Sequence, residues 1–340
     1  MSAPLLHVRD LRVHFRAEEG LVRAVDGLSF SLERGRTLAI VGESGSGKSV
    51  TSRALMGLSS GAQVSGEVWF GGRELLTASR EEVRRLRGSE MAMIFQDSLS
   101  ALHPFYTVGR QVSEAYRVHN KVSRKAARAH TVDLLGRVGI PHPDRRFGQY
   151  PHEFSGGMRQ RVVIAMALAC DPGLIIADEP TTALDVTVQA QILDLLGGLQ
   201  QELGTAIILI THDLGVVASA AHDVLVMYAG RAVEQGTVEE VFYRAEHPYT
   251  WGLLGSVPRV DGGGGERLLP IAGNPPSLNA VPSGCAFHPR CSHVVDRCLA
   301  VRPETEAAPG GHPTACHLRP EDRGRLWADL SAPRMSGAPE

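Results

Sequence analysis

Leu38-Ala-Ile-Val-Gly42-Glu43-Ser44-Gly45-Ser46-Gly47-Lys48-Ser49 joins an apolar run to a glycine-rich loop and the start of a helix. Leu38 to Val41 read as a short buried strand, and Lys48 to Leu58 as a helix. Between them the spacing Gly-x4-Gly-Lys-Ser matches a phosphate-binding loop, in the strand-to-helix setting that such a loop needs. Small residues let successive N–H groups turn inward, and the helix N-terminus adds partial positive charge. Lys48 is then placed for the outer phosphates and the Ser49 hydroxyl for Mg²⁺. A glycine-rich turn followed by a surface lysine is the bland alternative, and the flanking strand and helix weigh against it.

Met91 to Phe95, Leu174 to Ala177 and Ala206 to Ile210 also read as buried strands. Helical patterns alternate with them at Arg124 to Val138, Gly157 to Ala169 and Val186 to Leu203. That alternation predicts an α/β fold around a largely parallel sheet covered on both faces. Leu174-Ile-Ile-Ala-Asp178-Glu179 ends in two adjacent carboxylates, which strand alternation aims in different directions. Asp178 is therefore read as a Mg²⁺ ligand and Glu179 as the general base that polarises water. Alone, such a pair is usually just solvated; a phosphate loop in the same sheet makes the functional reading the stronger one.

Composition narrows the partners. The 340 residues are 43% hydrophobic and 21% charged, which excludes wholesale disorder, and a net charge of −2 offers no global field for nucleic acid or an anionic membrane. The longest apolar run, Val162 to Cys170, is far short of the roughly 20 residues a spanning helix needs. Met1 to Asp10 lacks the features of an export signal, so a cytoplasmic location is expected.

From Asp261 the chain changes character: the last 80 residues hold 11 of the 20 prolines and begin with Gly262 to Gly265. The expected division is a nucleotide-binding domain over 1–260, with a helical part near 97–165, and a Pro/Gly/Cys-rich extension over 261–340. Cys285, Cys291, Cys298 and Cys316 cluster in the extension, and in a reducing compartment that favours metal ligation over disulfides. Four thiolates suit an iron–sulfur cluster or a structural zinc. The spacing lacks the close Cys-x2-Cys knuckle of zinc modules, which favours a 4Fe-4S cluster, with zinc or four free thiols as alternatives. Pro289, Pro303, Pro309 and Pro313 argue against a continuous helix there. Cys170, alone in an apolar helix, reads as core.

Phe154-Ser155-Gly156-Gly157-Met158-Arg-Gln-Arg161 supplies a third element, a second glycine-bearing helix N-terminus able to meet phosphate. With it the sequence resembles the ATP-binding cassette (ABC) family. The resemblance implies a P-loop NTPase (RecA-like) core with a β subdomain and a helical signature subdomain. It also implies ATP and Mg²⁺ as cofactors, and a head-to-tail dimer in which Ser155, Gly156, Gly157 and Met158 of one cassette face the ATP of the other. In this resemblance Gln96 corresponds to the Q-loop glutamine that touches Mg²⁺, Thr182-Ala-Leu-Asp185 to the D-loop, His212 to the switch histidine, and Phe15 to the aromatic that stacks on adenine. Phe154 and Met158 depart from the usual leucine and glutamine, while the Ser-Gly-Gly centre is intact.

The signature as written here, together with His247-Pro-Tyr249 before Thr250-Trp-Gly252, resembles the D-type ATPase subunit of dipeptide and oligopeptide importers. That subfamily implies a homologous second ATPase, two separate membrane permeases docked near residues 97–108, and an extracytoplasmic substrate-binding protein. The chain would then sit peripherally on the cytoplasmic face of the membrane, with no nucleic acid partner. A ribosome- or DNA-acting soluble cassette ATPase is the competing class, but it usually carries two tandem cassettes or a coiled-coil insertion. GTPase switches share the phosphate loop yet give no reason for Ser155-Gly156-Gly157 or His212. Dipeptide, oligopeptide, nickel chelate and antimicrobial peptide all stay open as cargo.

Overall fold

Every residue of β3 (Thr37–Val41) is buried, so this strand needs cover on both faces and a neighbour on each edge. The computed structural model describes residues 3–18, 20–96, 101–181, 185–256, 271–307 and 311–335. In it β3 pairs in parallel with β8 (Ala206–Ile210) on one side and β9 (Asp223–Tyr228) on the other. The parallel run continues through β7 (Leu174–Asp178) to β6 (Met91–Ile94). Beyond β9 the sheet turns antiparallel at β10 (Arg231–Thr237) and is extended by β12 (Pro313–Thr314) and β11 (Glu306–Ala307).

Alternation along these strands sorts the core. Leu38, Ile40, Ile176, Ile208, Ile210 and Leu225 face one way, into a cluster with helix α1 (Lys48–Leu55) and a second, antiparallel sheet. That sheet has the order β2-β1-β4-β5, from β1 (Leu6–Ala17), β2 (Gly20–Leu32), β4 (Ala62–Phe70) and β5 (Arg73–Glu74). Ile175, Ala177, Ile207 and Leu209 face the other way, onto helices. Those helices include α3 (Val108–His119), α4 (Arg124–Arg137), α6 (Gly156–Leu168) and α7 (Val186–Leu203). The shorter α2 (Arg80–Leu86) and α5 (Pro143–Arg146) complete the part of the chain before β7, and α8 (Leu214–Ala220) follows β8.

Predicted boundaries shift by small amounts with local causes. Helix α1 stops three residues before Leu58 because Gly57 takes φ +63°, a left-handed helix terminator. Strand β6 ends before Phe95, which is exposed. Helix α6 starts one residue early, at Gly156, because the Ser155 hydroxyl caps it by accepting the Met158 N–H. Cys170 lies just past the end of that helix and is half-buried, with its Sγ accepting from Asn120, so it is a helix-end contact more than a core residue.

The C-terminal residues share a core with the strands and helices at the β9 edge of the parallel sheet. Phe287 and Trp327 pack with Tyr228, Val241, Tyr249 and Trp251. These last come from β9, α9 (Val238–Tyr243) and α10 (Pro248–Gly255). No continuous helix crosses the cysteine-bearing stretch, where the longest helical piece is α11 (Asp296–Ala300). Helix α12 (Pro320–Met335) follows it, and its Trp327 indole N–H donates to the Tyr243 carbonyl at 2.8 Å. The predicted Gly262 to Gly265 boundary, Pro309, residues 97–100 of the docking stretch and Thr182 to Leu184 lie outside the described residues. Among those described, no helix is long and apolar enough to cross a membrane.

Candidate nucleotide site

The loop from Gly42 to Ser49 leaves the C-terminal end of β3, squeezed between two strands. Gly42 has φ +149°, and a Cβ there would meet the Met227 carbonyl oxygen at 2.2 Å. Gly47 has φ +103°, and its Cβ would meet the Ala24 oxygen at 2.3 Å. Both positions demand glycine on conformation and on space. Gly45 has φ +79° with open space around it, while Ser44 and Gly45 are exposed and Ser46 is buried.

Lys48 is 6% exposed, and its Nζ donates to the carbonyls of Gly42 at 2.7 Å and Glu43 at 2.9 Å. The ammonium thus lies folded into its own loop. Burial lowers its pKa, and the charges of Glu179, Asp178 and Glu43 only partly offset that. The Ser49 hydroxyl donates to Asp178 Oδ1 at 2.9 Å, and Ser52 donates to Asp178 Oδ2 at 3.3 Å. Burial raises the Asp178 pKa, against the lowering effect of those two hydroxyls.

Glu179 turns away from Asp178, as strand alternation predicted. It adopts φ +48°, uncommon for a residue with a side chain, and its N–H is held by the Ile210 carbonyl at the end of the neighbouring strand. Its carboxylate accepts from Gln96 Nε2 at 2.9 Å, and His212 Nδ1 lies 3.3 Å from its other oxygen. Gln96 follows β6, Glu179 follows β7 and His212 follows β8, so three adjacent strand ends deliver three side chains to one point. This is the crevice outside the carboxyl ends of a parallel sheet, where such folds bind ligands.

The structure therefore gathers Lys48, Ser49, Gln96, Asp178, Glu179 and His212. Ser155, Gly156, Gly157 and Met158 stand elsewhere, at the N-terminus of α6, with no hydrogen bond to the 42–49 loop among the described residues. Asp185 caps α7 by accepting the Val188 N–H at 3.0 Å. Phe15 is partly buried on β1 against the core of the antiparallel sheet. Sequence reasoning missed Ser52 and Arg290, and gave Tyr249 only as part of a subfamily segment, with no role at the loop. The Tyr249 hydroxyl accepts the Glu43 N–H at 2.8 Å, and Arg290 pairs with the Glu43 carboxylate at 2.6 Å. Ser52 had a signal, one helical turn beyond Ser49; Arg290 had none.

The four cysteines influence one another electrostatically, without forming a metal-holding set among the described residues. Burial pushes the Cys291 thiol up to about 11 and Cys316 up to about 12, with smaller contributions from Cys285 and its neighbours. Among the described residues no three His, Cys, Asp or Glu side chains are arranged to hold a metal ion. The predicted 4Fe-4S cluster, and equally the zinc alternative, therefore gains no support from this geometry; Cys298 is buried and Cys285, Cys291 and Cys316 are partly buried.

A fold of this kind, with a phosphate loop and carboxylates at strand ends, defines a P-loop nucleoside triphosphatase. Residues 25–182 match the ABC transporter family model, and residues 233–298 match the oligopeptide/dipeptide transporter C-terminal region. The oligopeptide transport ATP-binding protein OppD of Bacillus subtilis is 55% identical over 86% of this chain and 82% of its own. OppD of Escherichia coli is 53% identical over 90% and 91%, and the dipeptide transport ATP-binding protein DppD of B. subtilis 52% over 93% and 95%. Among solved structures, the dimeric cassette MJ0796 in a post-hydrolysis state bound to ADP and Pi matches with TM-score 0.63 at 25% identity, covering 68% of this chain and 98% of that one. The cbiO1 protein of Clostridium perfringens matches at 0.61 and 31%, covering 71% and 92%. The chain belongs to the ABC transporter family and is one of its ATPases.

Proposed function

We propose that this chain is the ATP-hydrolysing subunit of a bacterial importer of dipeptides or oligopeptides, working with two separate membrane permeases, a homologous second ATPase and an extracytoplasmic substrate-binding protein. The observation that carries this reading is identity above 50% to OppD and DppD relatives across nearly whole chains, including the C-terminal region. It acts peripherally on the cytoplasmic face of the membrane. Residues 1–260 form the nucleotide-binding domain, with its helical part near 97–165, and residues 261–340 form the extension. Action on ribosomes or DNA is not favoured, because the relatives are transport proteins.

Within that reading the N–H groups of Gly42 to Gly47 cradle the triphosphate, and Lys48 moves from its loop carbonyls to the outer phosphates. Ser49, Gln96 and Asp178 offer hard oxygen donors suited to Mg²⁺, which supplies charge neutralisation on the phosphates when bound. Glu179 takes a proton from the attacking water, and Gln96 and His212 fix its carboxylate. Phe15 stacks on adenine. Ser155, Gly156, Gly157 and Met158 reach the ATP of the partner cassette, and Asp185 links the two sites.

Iron–sulfur or zinc ligation by Cys285, Cys291, Cys298 and Cys316 remains part of the proposal, supported by their number and clustering in the sequence alone. Metal analysis and visible spectra after anaerobic purification test it: a colourless, metal-free, folded protein ends that part. The transport reading is tested by deleting the gene and following uptake of labelled dipeptides and pentapeptides. Uptake lost, restored by the wild-type gene but not by a Glu179→Gln copy, is the expected result; unchanged uptake of both classes would overturn it.

A further inference from the structure

Arg290, far from the phosphate loop in sequence, closes on it in space. Its Nη1 and Nη2 lie 2.6 and 2.9 Å from the two oxygens of Glu43, a bidentate pair. The other donors reach the Tyr228 hydroxyl at 3.3 Å, the Gly273 carbonyl at 3.2 Å and the Ala272 carbonyl at 2.8 Å. All five guanidinium N–H groups are thus engaged, and the side chain is only 4% exposed. From the other side, the buried Tyr249 hydroxyl holds the Glu43 main-chain N–H. Two residues 247 and 206 positions away in sequence therefore fix both ends of the second residue of the loop.

Glu43 is an awkward residue for a loop that receives a polyanion. Its carbonyl carries Lys48 Nζ, and its negative charge reaches the Lys48 ammonium. Left unpaired, that carboxylate would repel the triphosphate and compete for Lys48. The buried guanidinium cancels it while locking the main chain from which Lys48 hangs. We propose that Arg290 is a positioning residue for ATP: it neutralises Glu43 and, with Tyr249, fixes the loop, so that the C-terminal segment sets the nucleotide affinity of the site.

The proposal makes an unusual demand on charge. Arg290→Gln exposes the Glu43 carboxylate to the phosphates and weakens ATP; Glu43→Gln leaves an uncancelled cation and tightens it. A purely structural clamp would weaken binding in both variants. Equilibrium titration of the full-length protein with trinitrophenyl-ATP reads the difference, with thermal melts confirming that each variant is folded. We expect about ten-fold weaker binding for Arg290→Gln and wild-type or tighter binding for Glu43→Gln. The double variant should return to within about three-fold of wild type, because no net charge is left. In the assembled ATPase the loss should appear in KM for ATP with kcat nearly unchanged. Unaltered affinity in Arg290→Gln, or a double variant no better than the single, would overturn the proposal. Should Arg290→Gln fail to fold, weaker binding by Glu43→Gln alone overturns it.

Discussion

Ser49 Oγ donates to Asp178 Oδ1 across 2.9 Å, so the two residues read as Mg²⁺ ligands occupy each other. A buried carboxylate beside Glu179 costs stability when ionised, which is why the Asp178 pKa is raised. For a raised carboxylate, stability is greatest below the unfolded value and falls as pH rises through the folded one. Ionising Asp178 is therefore a cost to the nucleotide-free fold, one that a bound Mg²⁺ would offset. Asp178→Asn should leave the nucleotide-free protein at least as stable as wild type at pH 7.5, while removing Mg²⁺-dependent turnover. Thermal melts with and without Mg²⁺ and ATP check this; an Asn variant clearly less stable without ligand would contradict it.

Glu179 meets Gln96 and His212 through a carboxylate that glutamine can imitate in shape but not in basicity. Glu179→Gln should lower turnover by about 10² or more, since proton removal from water is lost, while leaving ATP affinity within a few-fold of wild type. Single-turnover hydrolysis measures it. Near-normal rates would place the base elsewhere.

Much of this site was legible because its parts are local in sequence. Gly42 to Ser49 is one loop, Asp178 and Glu179 end one strand, and an apolar run before each placed them in a common sheet. Gln96 and His212 are single residues at strand ends, and only the family resemblance picked them out. The pairing of Arg290 with Glu43 was invisible, because nothing in a pattern of prolines and cysteines shows that residue 290 folds back onto residue 43. Helix α12 was missed for a similar reason: the proline-rich composition assigned no helix to the end of the chain, yet Pro320 sits at the first helical position, where proline needs no N–H partner.

Gly47 is fixed by two independent constraints, φ +103° and the Ala24 oxygen 2.3 Å from where a Cβ would sit. Gly47→Ala should cost about 2 kcal/mol or more and displace the loop from β2. Both a lower melting temperature and loss of trinitrophenyl-ATP binding are expected. Gly45→Ala, at φ +79° but in open space, meets only the conformational cost and should be the milder of the two. Equal effects would mean that contact with Ala24 is not what fixes Gly47.

Glu234, fully buried on β10, receives the N–H groups of Glu246 and His247 and faces His312 Nε2 at 2.6 Å, joining the C-terminal segment to the core sheet. Burial alone would lower the His312 pKa, but the hydrogen bond and charge of Glu234, helped by Glu246 and Glu240, hold it above the ordinary value. Its stabilisation is complete below about 6.5, the unfolded value, and is lost as pH rises through the folded one. His247 has the opposite sign. Burial, reinforced by Arg323 of α12 and opposed by Glu234, lowers it to about 4, and its Nδ1 must stay unprotonated to accept the Tyr249 N–H at 3.0 Å. Its stabilisation is complete above about 6.5 and is lost as pH falls toward 4. The two histidines therefore give the melting temperature a maximum near neutral pH. His312→Gln, which leaves Glu234 buried without its counter-charge, should lower stability by about 3 kcal/mol near that maximum and flatten the alkaline limb. His247→Asn keeps an acceptor for the start of α10 and should flatten the acid limb. Thermal melts of the three proteins from pH 5 to 9 separate these contributions, and an acid limb that survives in His247→Asn would assign it to some other group.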